Sequence, residues 1–491
     1  MRCAGLLLLA LSVLGCGGLL ASASAQKLAL FTVATDTNDG FQRFARSADR
    51  HGYNLTVLGR GREWTGGDVM RYPGGGQKVN LLREAVLQLR DAADWLVMFV
   101  DSYDVVLTAG PQDVVKAFGK FKADVVFSAE GFCWPDPSLA ELYPEVRPSE
   151  KRFLNSGGFV GYAPQVAELL SEKLNDNDDD QLYYTRVFLD RARREKLNMK
   201  LDTKSAIFQN LNGALDEVTV KFKGNSSYLY NFKTGFQAAV VHGNGPIKTI
   251  FNSLSNYLDG HWTPKHGCLA CLENTFSLDS LDEDNFPRVF MAIFIEFPTA
   301  FIEDFFENVA ALDYPKKRVD LMIHYAVEYH KNDVQTFIAA HGKSYRSFKV
   351  YGPEKRLDDK SARNVALEES EKKGSAYFFS LDGEVQLENT MTLQQLVEQN
   401  RSVVAPLVVR PGKTWSNFWG AINRDGFYLR SVDYMDIVKG IRVGLWNVPY
   451  LNGVYLVHRR QVPMLRHYAA YSDGVLDSDM AFCRVLREQV L

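Results

Sequence analysis

Short, wholly apolar runs alternate with amphipathic stretches from Lys27 onward, and that alternation leaves few folds open. Leu28-Ala29-Leu30-Phe31-Thr32-Val33-Ala34-Thr35 reads as a buried strand, residues 39–51 as an amphipathic helix and residues 53–58 as a second strand. Residues 81–89 read as helix, and Trp95-Leu96-Val97-Met98-Phe99-Val100 as another continuous apolar strand. A strand that is apolar on every residue must be covered on both faces. The alternation therefore predicts an α/β fold with a mostly parallel sheet between helices. In such sheets ligands bind beyond the carboxyl ends of the strands, so the residues just after each apolar run matter most.

The pattern stops and restarts. Residues 271–287 are polar and acidic and read as a boundary; strands then follow at 288–296 and 319–324, with a helix at 301–312. Trp95-Leu96-Val97-Met98-Phe99-Val100-Asp101 is answered by Ala376-Tyr377-Phe378-Phe379-Ser380-Leu381-Asp382. Asn155-Ser156-Gly157-Gly158-Phe159 is matched with Asn447-Val448-Pro449-Tyr450, and Asp178-Asp179-Asp180-Gln181-Leu182 with Asp477-Ser478-Asp479-Met480-Ala481. The shared order predicts two tandem copies of one α/β architecture, over residues 26–275 and 288–491.

A net charge of -3 with 46% hydrophobic residues excludes a disordered chain, and no basic stripe invites nucleic acid. Arg2, the apolar residues 6–20 and Ala21-Ser22-Ala23-Ser24-Ala25 form a signal peptide over residues 1–25. Ser12, Gly15, Gly17 and Gly18 make that run a poor uncleaved anchor. Val13-Leu14-Gly15-Cys16 also fits a lipoprotein signal, against which stand the glycosylation sequons at Asn54, Asn225 and Asn400. No later run is long enough for a transmembrane helix, so a secretory address is expected, the endoplasmic reticulum lumen or beyond. Cys3 and Cys16 leave with the signal. Cys268-Leu269-Ala270-Cys271 reads as a redox pair, half a zinc site or a local disulfide; with no second pair to complete zinc, an oxidising compartment favours the disulfide.

Four segments carry chemistry. Asp101-Ser102-Tyr103-Asp104 places two carboxylates just past a strand, where they can share a hard divalent cation and its phosphates, or merely cap a turn. His242 also follows an apolar run and enters the loop Gly243-Asn244-Gly245-Pro246, offering one nitrogen ligand. Gly74-Gly75-Gly76-Gln77-Lys78 lets the backbone approach an anion, although the spacing of a nucleotidase phosphate loop is missing. The acidic run Asp176, Asp178, Asp179 and Asp180 is either a solvated loop or a site for acceptor hydroxyls.

Together these segments resemble the amino-terminal part of the procollagen lysyl hydroxylase family. The matching stretches include residues 32–35, 74–78, 99–104, 152–161, 178–185, 207–217 and 242–246, then 415–421, 443–450 and 479–483. The resemblance implies two tandem GT-A-like (Rossmann-like) domains, a glycosyltransferase followed by an accessory domain. It also implies that Asp101, Asp104 and His242 bind Mn2+. Val33, Ala34, Thr35, Trp64, Lys78, Asp101, Ser102 and Tyr103 would hold a UDP-sugar, with Asn244, Gly245 and Lys248 closing on its phosphates. Glu130, Trp134, Asp179 and Asp180 would line the sugar and acceptor side. The pair Cys133-Trp134 is the one carried by transferase-competent members.

The resemblance has a limit. An iron dioxygenase needs a His-x-Asp/Glu pair, and none of the 9 histidines is followed by a carboxylate at that position. His330-Lys331-Asn332-Asp333 places it one residue late. No iron site and no C-terminal dioxygenase domain are therefore expected in this chain. The expected activity is Mn2+-dependent transfer of glucose, with galactose as the other donor, from a UDP-sugar to hydroxylysine-linked acceptors of collagen or procollagen. The rival expectation is a non-catalytic module that holds collagen or a partner. The second copy is expected to lack transferase activity, although its strand ends in Asp382-Gly383-Glu384.

Overall fold

A computed structural model describes residues 27–69, 72–224, 226–423 and 425–489. The signal segment, with Cys3 and Cys16, and the Asn225 sequon lie outside the described residues. The apolar runs form two six-stranded sheets, one in each half of the chain. The first has the order Leu55–Leu58, Lys27–Val33, Trp95–Val100, Phe153–Tyr162, Val125–Glu130, Met199–Asp202. Its first three strands run parallel, but Phe153–Tyr162 lies antiparallel to both neighbours. The sheet is therefore mixed rather than mostly parallel. Burial on both faces makes a parallel and an antiparallel interior strand look alike in sequence.

Local chemistry sets the helix starts. Asn38 accepts a hydrogen bond from the Phe41 amide and caps the Asp39–Arg50 helix, which buries Phe41, Phe44 and Ala48 against the sheet. The helix expected at 81–89 begins earlier, at Gly76. Gly75 supplies the left-handed turn before it, with φ 97°. Asp179 caps the Asp180–Leu189 helix through the Leu182 amide. Tyr184 locks that helix down, its ring 5.1 Å from Phe127 and 5.6 Å from Phe159. Burying such a ring contributes roughly 2–3 kcal/mol and sets where Asp180 stands.

A small second sheet completes the first half. Val240–His242 pairs antiparallel with Val105–Leu107 and parallel with Phe208–Asn210. Its register puts His242 opposite Val105, the residue after Asp104, and beside Asn210.

The second half has the order Ser347–Tyr351, Val319–Tyr325, Val289–Ile295, Tyr377–Asp382, Val454–His458, Val403–Val404. Val454–His458 runs antiparallel to Tyr377–Asp382, just as Phe153–Tyr162 does to Trp95–Val100. Leu381 pairs with Val454 and Val100 with Gly158. The counterpart of Asn155–Phe159 is therefore Leu451–Tyr455, not Asn447–Tyr450 as the sequence comparison had it. Strand register decides this, and short motifs of similar composition do not. Within the polar stretch 271–287, Leu278 is fully buried in the second core and Phe286 joins it.

The halves meet along the Asn256 side chain, which brackets Asn447 with a donated and an accepted bond of 3.0 and 2.7 Å. Trp262 packs 5.8 Å from Trp446. Cys268 and Cys271 form the expected disulfide, and the Leu445 amide donates to Cys268 Sγ across this contact. Among the described residues no helix is long and apolar enough to cross a membrane.

Candidate functional site

Two strand ends converge at the carboxyl edge of the first sheet. Asp101 and Asp104 follow Trp95–Val100, and His242 arrives on the small sheet. One ligand atom from each lies within 4.8 Å of the other two. His242 Nε2 stands 3.5 Å from Asp104 Oδ1 and 3.8 Å from Asp101 Oδ2, while Nδ1 is 2.8 Å from Asn210 Oδ1. With Asn210 occupying one ring nitrogen, the other faces the carboxylates, the arrangement a metal-bound histidine needs. Gly157 makes room: a Cβ there would lie 2.2 Å from His242 Cε1 and 2.9 Å from Asp101 Oδ2. Two carboxylates and an imidazole are a donor set for a divalent metal ion.

The cluster carries strong fields. Burial disfavours the charged forms of both Asp104 and His242. Lys248 and His242 nevertheless hold the Asp104 carboxyl well below its usual range, and Asp104 lifts the His242 imidazole above its own. Lys78 bridges Asp101 at 3.1 Å and Asp180 at 2.8 Å. These carboxylates overcome the desolvation of its ammonium and keep it charged. Lys248 Nζ lies 3.6 Å from Asp104 Oδ2.

The other expected residues divide into two groups. Ser102 Oγ donates to the Val33 carbonyl at 2.8 Å, tying the metal loop to the first strand. The Asp36 amide donates to the Tyr103 hydroxyl at 3.1 Å, so Val33, Ala34, Thr35, Ser102 and Tyr103 form one contiguous edge. Trp64 lies against the same core and donates to Gly67 O. Asn244 donates to Glu130 Oε2 at 2.8 Å, which links the Gly245 loop, where φ is 69°, to the sheet.

Of the residues expected on the sugar and acceptor side, Trp134 is 51% exposed. Glu130 is buried, and burial raises its pKa although Asn155 and Gln181 donate to it. Asp179 spends its oxygens on the Leu182 and Gly74 amides. That is the work of a helix cap and loop clamp, so the structure gives Asp179 a backbone-holding place rather than a free carboxylate. Asn210, Gly157 and Gln181 were not singled out as site residues. Asn210 falls within the resembling stretch 207–217, but its partnership with His242 comes from strand register alone.

The matching sheet edge of the second half carries different groups. Asp382 takes the place of Asp101, and buried Val385 that of Asp104. Arg363 reaches Asp382 at 2.8 Å and lies 4.0 Å from Asp479, bridging two carboxylates as Lys78 does. Glu384 is exposed. Of the two carboxylates in Asp382-Gly383-Glu384, one is thus paired with a guanidinium and the other faces solvent.

Residues 24–268 match the PLOD GT domain family, and residues 351–476 match the glycosyltransferase family 25 N-terminal domain. The procollagen-lysine,2-oxoglutarate 5-dioxygenase 1 of Gallus gallus is 46% identical over 98% of this chain and 66% of its own length. A multifunctional procollagen lysine hydroxylase and glycosyltransferase of Rattus norvegicus is 44% identical over 94% of this chain and 62% of its own. The chain therefore spans just under two thirds of the length of these relatives. Among solved structures, a mannosyltransferase from Pyrobaculum calidifontis in complex with GDP-Man and Mn2+ aligns with 40% of this chain and 51% of its own, at 16% identity and a TM-score of 0.30.

Proposed function

From the premise that this chain belongs to the procollagen lysyl hydroxylase family and carries its glycosyltransferase domain, we propose that it transfers glucose, or galactose, from a UDP-sugar to hydroxylysine-linked acceptors of collagen. The observation that carries this reading is the Asp101–Asp104–His242 cluster beside Lys78 at the carboxyl edge of the sheet. Asp101, Asp104 and His242 would hold Mn2+. A cation there neutralises charge developing on a diphosphate leaving group.

The chain's own residues do the rest. Lys78 keeps Asp101 and Asp180 in register, and Asn210 holds the His242 ring. Glu130 orients Asn244 and through it the loop that carries Gly245 and Lys248 toward the phosphates. The exposed ring of Trp134 offers an apolar face to the sugar. The disulfide and the sequence of the leader support a place in the endoplasmic reticulum lumen.

The test is UDP release from UDP-glucose and UDP-galactose by the purified chain, with a galactosylhydroxylysine or hydroxylysine peptide as acceptor, with and without Mn2+. Asp104→Asn should lose at least 100-fold in turnover while its circular dichroism stays native. Undiminished turnover in that variant, or none in the native chain with either donor, would sink the reading in favour of a binding module.

A further inference from the structure

A cavity of about 400 Å³ lies between the two halves, away from the metal cluster: none of Lys78, Asp101, Asp104 and His242 lines it. Its wall contains five arginines and a single carboxylate, that of Asp39. Arg46 and Arg442 are answered by Glu273 and Asp436, at 2.7 and 3.0 Å. Arg43, Arg401 and Arg487 are not: among the described residues no carboxylate comes within ion-pair distance of them. Neutral oxygens hold them instead. Arg43 donates to Asn252 Oδ1 and the Tyr103 carbonyl at 2.7 and 3.2 Å, Arg401 to the Ala270 and Glu273 carbonyls at 2.8 Å, and Arg487 to the Pro449 carbonyl.

Two further observations point to a missing anion. The Nε atoms of Arg43 and Arg401 are buried donors with no acceptor. A desolvated donor left unpaired, on a group that always carries charge, is costly, and buried charges are normally paired. His261, on the same wall, is driven to about 3 by burial and by the fields of Arg46 and Arg43. Burial is the larger cause, and the guanidinium fields add to it. The same wall carries Phe418, Leu407 and Trp446, so an occupant can have an organic body as well as charged groups.

We propose that this interdomain cavity is a binding site for a small organic polyanion, one bearing two or more phosphate or carboxylate groups, held by Arg43, Arg401 and Arg487. The forked guanidinium geometry suits both kinds of group. The inference does not depend on the transferase reading, because the arginines come from both halves and none is a candidate metal ligand.

The test uses the full chain, freed of divalent metal with EDTA, titrated by calorimetry with pyrophosphate and separately with citrate. Saturable one-to-one binding of either supports the site, and the preferred probe tells phosphate from carboxylate chemistry. Arg401→Gln and Arg487→Gln should each weaken that binding tenfold or more, whereas Arg401→Lys should retain part of it. Asp104→Asn, which removes a negative field from Arg43, should leave it undiminished. Failure of both probes to saturate, or binding that survives both Gln variants and vanishes in Asp104→Asn, would overturn the proposal. Mn2+-dependent UDP release, measured on the same preparations, reports separately on the transferase reading.

Discussion

A single added methyl group at Gly157 tests the metal centre. Gly157 is buried in the Phe153–Tyr162 strand and outside the left-handed region, so alanine suits its backbone and only space opposes it. The new Cβ would sit 2.2 Å from His242 Cε1, 2.7 Å from its Nδ1 and 2.9 Å from Asp101 Oδ2. The backbone resists a shift here, because the Gly157 carbonyl accepts from the Asp101 amide at 3.1 Å and the Gly157 amide donates to Asn155 Oδ1 at 3.0 Å. The imidazole must therefore turn, and turning breaks its contact with Asn210. Overpacking costs about 1–3 kcal/mol and the lost hydrogen bond about 1 kcal/mol more, so Gly157→Ala should lose about 2–4 kcal/mol of stability. Displacing a ligand and its orienting partner should also weaken Mn2+ binding about 10–100-fold. Free Mn2+ is counted by electron paramagnetic resonance during titration, in conditions where urea denaturation shows the variant fully native. Wild-type Mn2+ affinity in a native Gly157→Ala chain would refute the placing of His242 in the metal site.

Two other outcomes follow from buried charge. Arg363→Met leaves the partly buried Asp382 and the buried Asp479 without their guanidinium, and Asp359 without its 2.7 Å partner, and should cost about 3–5 kcal/mol in chemical denaturation. Adding Asp382→Asn should recover part of this, and a loss below about 1 kcal/mol would show that the pairing contributes little. His261, at about 3 in the fold against ~6.5 unfolded, makes the unfolded chain the stronger proton binder between those values. Its contribution is complete above about pH 6.5 and fades as pH falls, by about 2 kcal/mol between pH 7.5 and 5. His261→Gln should flatten the urea stability profile by that amount; an unchanged slope would show that the imidazole is not held neutral.

Local pattern was enough to place the elements and the strand-end acids. A short, wholly apolar run bounded by turn residues reads as an interior strand, and a carboxylate just after it stands at the sheet's edge, which is why Asp101, Asp104 and Asp382 were legible. The Cys268–Cys271 pairing was legible too, because two cysteines three residues apart have few other partners. Strand direction, register and long-range charge emerge only when the elements pack together. The antiparallel setting of Phe153–Tyr162 left no mark in sequence, since burial on both faces is the same either way. The second copy's cation escaped notice because it is not a lysine after a glycine-rich loop. Lys78 precedes its aspartate by 23 residues and Arg363 precedes Asp382 by 19, yet helix packing brings both to the same place. Asn210 meets His242, and arginines as distant as 43 and 487 share one cavity, through contacts between elements far apart in the chain. Local pattern encodes which face of an element is buried. Which elements then meet depends on the packing of the whole chain.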